Sequence, residues 1–224
     1  MSDLHILFED NHLVAVNKRP GVLVQGDVTG DVPLSELVKD YIKEKYSKPG
    51  AVFLGVVHRI DRPVSGVVVF ARTSKSLERM NELFRNRETK KIYYAIVYGK
   101  PPRPEDTLVH WLVKDETRNR TTAYKREYVG SQKSELSYQL VRHSGGRSLL
   151  EVRPVTGRPH QIRAQLSNIG CPIVGDVKYG AEMPNDDASI CLHAGKLHFV
   201  HPVRKEEVTI EAGFPQNHLW DAFR

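Results

Sequence analysis

Two cysteines, Cys171 and Cys191, are all that the 224 residues hold. They form no close metal-binding pair, and a single disulfide is permitted but not demanded. That usage fits a reducing cytoplasm rather than a disulfide-built secreted scaffold. No apolar run approaches the roughly 18 residues that a membrane helix needs. The opening Met1-Ser2-Asp3-Leu4-His5 lacks the basic and apolar blocks of a secretion signal. There is no convincing internal repeat and no low-complexity tract. Strong paired-acid, serine-nucleophile and phosphate-loop motifs are missing too, which weakens a hydrolase reading.

What is present is a soluble globular composition, with 40% hydrophobic and 27% charged residues. The length suits one domain, taken here as residues 1–224. Lys plus Arg number 33 against 27 Asp plus Glu, a formal charge of +6. That balance favours an anionic partner, but only modestly.

Leu4 to Lys18 carries two apolar runs around Glu9-Asp10-Asn11, the pattern of a hairpin. Leu34, Leu37, Val38, Tyr41 and Ile42 recur at helical spacing, with Lys39, Asp40, Lys43 and Glu44 on the other face. Ala51–Val57 and the valine-rich Gly66–Ala71 read as strands. Leu77, Met80, Leu83 and Phe84 mark a second helix, and Ile92–Tyr98 a buried strand. Leu108 to Thr122 has no clear period. Leu136, Tyr138 and Leu140 alternate before the Gly145-Gly146 turn, and Leu149–Val152 returns as a strand. Ile162, Leu166 and Ile169 form a short helix that Gly170 ends. Many strands with few helices predict an α+β fold around a mostly antiparallel sheet.

Between two predicted strands lies His58-Arg59-Ile60-Asp61-Arg62-Pro63-Val64-Ser65, a polar loop on a rigid scaffold. An aspartate in such a loop is ordinarily a cap, an ion-pair partner or a solvated acid. The stretch through Gly66, however, resembles the catalytic signature of the RluA family of RNA pseudouridine synthases. Ile60 replaces its usual Leu and Val64 its usual Thr. Lys91-Ile92-Tyr93-Tyr94-Ala95-Ile96-Val97-Tyr98-Gly99 resembles the segment with the family's active-site tyrosine. Gly157-Arg158-Pro159-His160-Gln161-Ile162-Arg163 resembles its basic motif, with Pro159 for Thr. Glu9-Asp10-Asn11, Asn17-Lys18, Gly170–Asp176 and His193–Pro202 continue the likeness in order, with Arg19 for a proline. The chain begins almost at the catalytic domain, so no separate N-terminal RNA-binding domain is expected.

The resemblance implies the pseudouridine synthase catalytic fold, a central mixed sheet with flanking helices and an active-site cleft. It implies Asp61 as nucleophile in the isomerisation of uridine to pseudouridine. Attack on the sugar C1′, attack on the pyrimidine C6, and glycal formation initiated at C2′ all stay open. A carboxylate suits covalent catalysis, and a guanidinium can hold one in a two-pronged geometry. The resemblance gives that role to Arg163, otherwise an ordinary helix-surface arginine. Tyr93, otherwise a core residue, would hold the detached base, with Ile162 lining the same pocket. Tyr94, on the opposite strand face, is read as packing. Arg59 would enter the stack that the flipped base leaves; the blander reading is a phosphate contact. His58 is read as loop support beside the RNA.

Arg158 and His160 of the basic motif, and Arg85, Arg87 and Lys90 after the second helix, are candidate RNA contacts, as are Lys91, Arg118 and Arg120. Each alone is an ordinary solvated cation. His193, His198 and His201 could be spaced as metal ligands, but strand packing and RNA contacts are the simpler readings. The expectation is an enzyme without cofactor or metal, acting on structured RNA of the large ribosomal subunit or on tRNA. A cytoplasmic monomer with no obligate protein partner is expected, and no membrane. The rival is a catalytically inactive RNA-binding module of the same fold.

Overall fold

A computed structural model describes residues 4–224. The chain forms strands β1 (Ile6–Glu9) and β2 (Leu13–Lys18), helix α1 (Leu34–Lys45), strands β3 (Gly55–Val56) and β4 (Ser65–Ala71), and helix α2 (Ser74–Arg85). Strands β5 (Lys90–Tyr98), β6 (Glu105–Asp115), β7 (Arg120–Tyr124), β8 (Gln132–Ser144) and β9 (Arg147–Pro154) follow. Helix α3 (Gln161–Asn168), strands β10 (Leu192–Val200) and β11 (Glu207–Glu211), and helix α4 (His218–Asp221) complete it. This is the predicted α+β class, and every strand pair detailed below is antiparallel.

The chain divides into two compact units, each discontinuous in sequence. The first comprises, among the described residues, 4–90 and 194–213. Asp10 makes its β1–β2 turn by accepting from the backbone N–H of His12 and Leu13 at 2.8 and 2.7 Å. β2 lies against β4 from Leu13↔Ala71 to Lys18↔Gly66. Leu13, Ala15, Val67, Val69, Met80, Leu197 and Phe199 form its core, under α2. Thr73 caps α2 in a reciprocal box with Ser76. His201 ties the β10–β11 turn: its Nδ1 accepts from Val203 and Arg204 N–H, which leaves the proton on Nε2. Nε2 faces Asp10 Oδ2 at 3.0 Å.

The second unit comprises residues 91–193 and 214–224. Its strands run β5-β9-β8-β6-β7. Leu112, Ala164 and Tyr179 pack α3 onto this sheet. His193 packs edge-on to Phe214 and Trp220. Cys171 and Cys191 are free and buried, and burial pushes the Cys191 thiol up to about 11. Among the described residues no helix is long and apolar enough to cross a membrane.

Two expectations needed correction. The strand expected over residues 51–57 shrinks to Gly55–Val56. A Cβ added at Gly55 would lie 2.7 Å from the Leu77 side chain of α2. Only Ala95–Val97 of β5 is fully buried, and Lys90 is exposed. The segment without a clear period is the β6–β7 hairpin, whose edge strand alternates one buried threonine with exposed residues.

Candidate functional site

In the first unit the His58–Gly66 segment is a turn held from several sides. Val64 N–H donates to Asp61 O at 3.0 Å, closing it. Gly66, at φ 117°, begins β4; a Cβ there would sit 2.2 Å from the Ala194 carbonyl oxygen, so no other residue fits. His58 Nε2 accepts from Val69 N–H at 3.1 Å, and its ring stacks on Phe84 at 5.0 Å. His58 therefore supports the loop through its neutral ring. Arg59 is exposed, Ile60 is buried, and Asp61 is half-buried. Arg62 pairs with Asp31 at 2.7 Å and donates to Gly21 O.

Lys18 is the unexpected member of this unit. It is 1% exposed, yet its Nζ donates to the carbonyls of Arg19, Val22 and Arg62 at 3.0, 2.8 and 3.0 Å. Burial draws its pKa down to about 7, opposed by the Asp61 carboxylate and reinforced by the Arg62 guanidinium. Arg85, Arg87 and Lys90 are exposed at and beyond the end of α2, where a cation also complements the helix dipole.

In the second unit Tyr93 lies half-buried on β5, opposite Val152. Tyr94, on the other face, reaches Glu151 at 3.4 Å and meets Phe214 edge-on, as packing. Arg163 is not on the surface: it is 5% exposed, and its Nε and Nη2 donate to the two oxygens of Asp176 at 2.7 and 2.8 Å. Its guanidinium also lies 4.9 Å from the Tyr179 ring centroid. His160, at φ 52°, turns the chain into α3 and contacts the Tyr179 hydroxyl at 2.9 Å. Gln161 locks that entry: Oε1 accepts from Thr156 Oγ1 and Arg158 N–H, and Nε2 donates to Glu135 O. Ile162 is buried beside it. Arg158 lines a cleft of about 260 Å³ with Lys114, Thr121 and Gln132.

Asp61, Arg59, His58, Arg85, Arg87 and Lys90 thus belong to the first unit, and Tyr93, Arg158, His160, Ile162 and Arg163 to the second. Sequence reasoning gave no role to Lys18, Asp176, Tyr179 or Gln161. The available signals were a lysine closing an otherwise apolar strand and a lone acid after Gly175. His198 bonds Thr209, and His201 serves its turn. Among the described residues no cluster suited to a metal is found.

Residues 12–168 match the family model described as RNA pseudouridylate synthase. The chain is 34% identical over 214 residues to the ribosomal large subunit pseudouridine synthase C of Buchnera aphidicola subsp. Acyrthosiphon pisum. That match covers 92% of the chain but 66% of the relative, so the chain spans just under two thirds of its length. It is 32% identical over 227 residues to the tRNA pseudouridine synthase C of Vibrio vulnificus, covering 93% of the chain and 90% of the relative. The solved human RNA pseudouridylate synthase domain containing 4 superposes with a TM-score of 0.79 at 25% identity, over 95% of this chain and 89% of that one.

Proposed function

The chain belongs to the RNA pseudouridylate synthase family, and from that premise we propose that it isomerises a specific uridine to pseudouridine in structured RNA. Asp61 is the nucleophile. The reaction breaks the N1–C1′ bond, turns the base and joins C5 to C1′; N1 gains a proton and C5 loses one. The observation that carries this reading is the Asp61 turn itself. It lies within the family-matched residues and is fixed by Lys18, Gly21 and the Gly66 approach to Ala194. A fixed carboxylate is what a reaction needs when the detached base must not escape.

Arg163 is assigned to orient the carboxylate and Tyr93 to hold the base; Arg59 fills the stack that the uridine leaves. The Asp176 carboxylate fixes the Arg163 guanidinium in one plane, which suits an orienting role. The Asp61, Tyr93 and Arg163 motifs, in that order, favour the RluA subfamily. Two free buried thiols suit action in the cytoplasm. The expected state is a monomer working without a cofactor.

Relatives are named for the large ribosomal subunit and for tRNA, so both RNAs enter the test. Purified protein is incubated with total rRNA and tRNA from a strain lacking it, and pseudouridine is mapped at nucleotide resolution. New pseudouridine at a defined uridine is expected. None on any folded RNA overturns the reading.

A further inference from the structure

Arg62, the residue after Asp61, is not held as a surface arginine usually is. Its main-chain carbonyl accepts from Gly21 N–H at 2.8 Å, and its Nε donates to Gly21 O at 2.9 Å. That reciprocal bridge fixes the guanidinium and leaves its two terminal nitrogens for other partners. One of them, Nη2, meets Asp31 Oδ2 at 2.7 Å, with the two side chains 45% and 52% exposed. Asp31 belongs to a loop in which every residue from Gln25 to Val32 is exposed. Two backbone bonds pin its base: Leu34 N–H to Leu23 O at 2.7 Å, and Ser35 N–H to Val24 O at 3.2 Å. The Thr29 hydroxyl gathers Asp27 and Asp31 within the loop. Val28 and Val32 leave their side chains largely in solvent. The Arg62–Asp31 pair therefore ties an exposed, acidic loop to the turn that carries Asp61.

We propose that Arg62 is the binding residue for an RNA phosphodiester beside the uridine that Asp61 receives, and that Asp31 occupies that place until RNA displaces it. This rests on the reading of RNA as the substrate. A guanidinium fork takes a carboxylate and a phosphodiester through the same two-oxygen geometry. An ion pair this exposed is weak, so one anion can exchange for another. The Arg62 charge also acts on Asp27, so two loop acids face this guanidinium. A tethered carboxylate competes at high effective concentration. A free phosphate ion meets that competition alone. A phosphodiester of an RNA already docked through other contacts is itself tethered, and competes on equal terms. Asp31 thus costs affinity and in return keeps free phosphate off the site.

A double-mutant cycle in the intact chain tests this, with fluorescently labelled total tRNA and fragmented large-subunit rRNA as probes. Arg62→Gln should weaken binding about tenfold. Asp31→Asn should tighten it about fivefold when Arg62 is intact, and by less than about 1.5-fold in the Arg62→Gln background. In ¹⁵N spectra of the wild type, the Arg62 Nε signal should move on adding RNA, and inorganic phosphate at equal ionic strength should leave it in place. Equal tightening by Asp31→Asn in both backgrounds would mean that Asp31 merely repels RNA from a distance, and overturns the proposal. Unweakened binding by Arg62→Gln overturns it too, as does inorganic phosphate that moves the Nε signal as far as RNA does. Should Arg62→Gln fail to fold, Asp31→Asn and the Nε signal decide alone, and absence of either the tightening or the shift overturns the proposal. RNA that binds with this cycle but is never converted overturns the proposed function and leaves the Arg62 site standing.

Discussion

Two buried cations anchor the candidate site residues, one in each unit, and they are held in opposite ways. Arg163 is matched by a carboxylate: both oxygens of Asp176 accept from it, and both side chains are nearly inaccessible. Lys18 is matched by three neutral carbonyls, with the Asp61 carboxylate acting through its charge rather than through one of those bonds. A bidentate ion pair fixes a guanidinium's plane and cancels its charge locally. Carbonyl acceptors fix position but leave the charge to be felt by a neighbour. The difference suits the roles proposed above, an orienting guanidinium in the second unit and a turn carrying Asp61 in the first.

Removing each partner tests that contrast. Asp176→Ala leaves Arg163 without its bidentate partner, and should cost about 3–5 kcal/mol in urea unfolding of the intact chain. Lys18→Met strips donors from carbonyls rather than orphaning a charge, and should cost less, about 2–3 kcal/mol. A larger loss for Lys18→Met than for Asp176→Ala would break the comparison.

The pH dependence of stability sharpens it. Lys18 has a folded pKa of about 7 against an ordinary 10.5, so between those values the unfolded chain holds more protons than the folded one. Its contribution to stability is therefore fully present above 10.5 and lost as pH falls towards 7. Lys18→Met should flatten that slope, whereas Asp176→Asn should keep it. Urea midpoints across this window decide.

A smaller effect belongs to acid pH. Burial lowers the pKa of His201 in the first unit and of His110 in the second. Stability from each is present above 6.5, the ordinary value, and falls away as pH drops through the folded value. Amide exchange should show both units loosening on the acid side, and His201→Phe should spare the second. The smallest change is expected at Arg85 and Lys90, exposed cations whose replacement by alanine should alter stability by within about 0.5 kcal/mol. If they contact RNA phosphates, each replacement should lower the salt slope of binding by about 1.

Much of this was legible in sequence, for a physical reason that differs by element. Helices α1 and α2 have strong periods because each buries one face, and the β1–β2 hairpin shows as two apolar runs about a polar turn. The β6–β7 hairpin did not, since an edge strand such as β7, with Thr121 as its one fully buried residue, has no apolar alternation to read. Asp61, Tyr93 and Arg163 stood out through motifs. Their supports did not: Asp176 lies 13 positions from Arg163 and Arg62 lies 44 from Lys18, and such pairings exist only once the chain has folded. An ammonium held by backbone carbonyls leaves even less trace, because its partners carry no side-chain identity.

The most direct test of the central claim is a single comparison. Wild type and Asp61→Asn, which keeps shape but removes the carboxylate, are mixed in excess with the same target RNA, and pseudouridine is measured over one turnover. The account predicts conversion by wild type and a loss of about a thousandfold or more in Asp61→Asn, with RNA affinity within about threefold. Undiminished conversion by Asp61→Asn would contradict it.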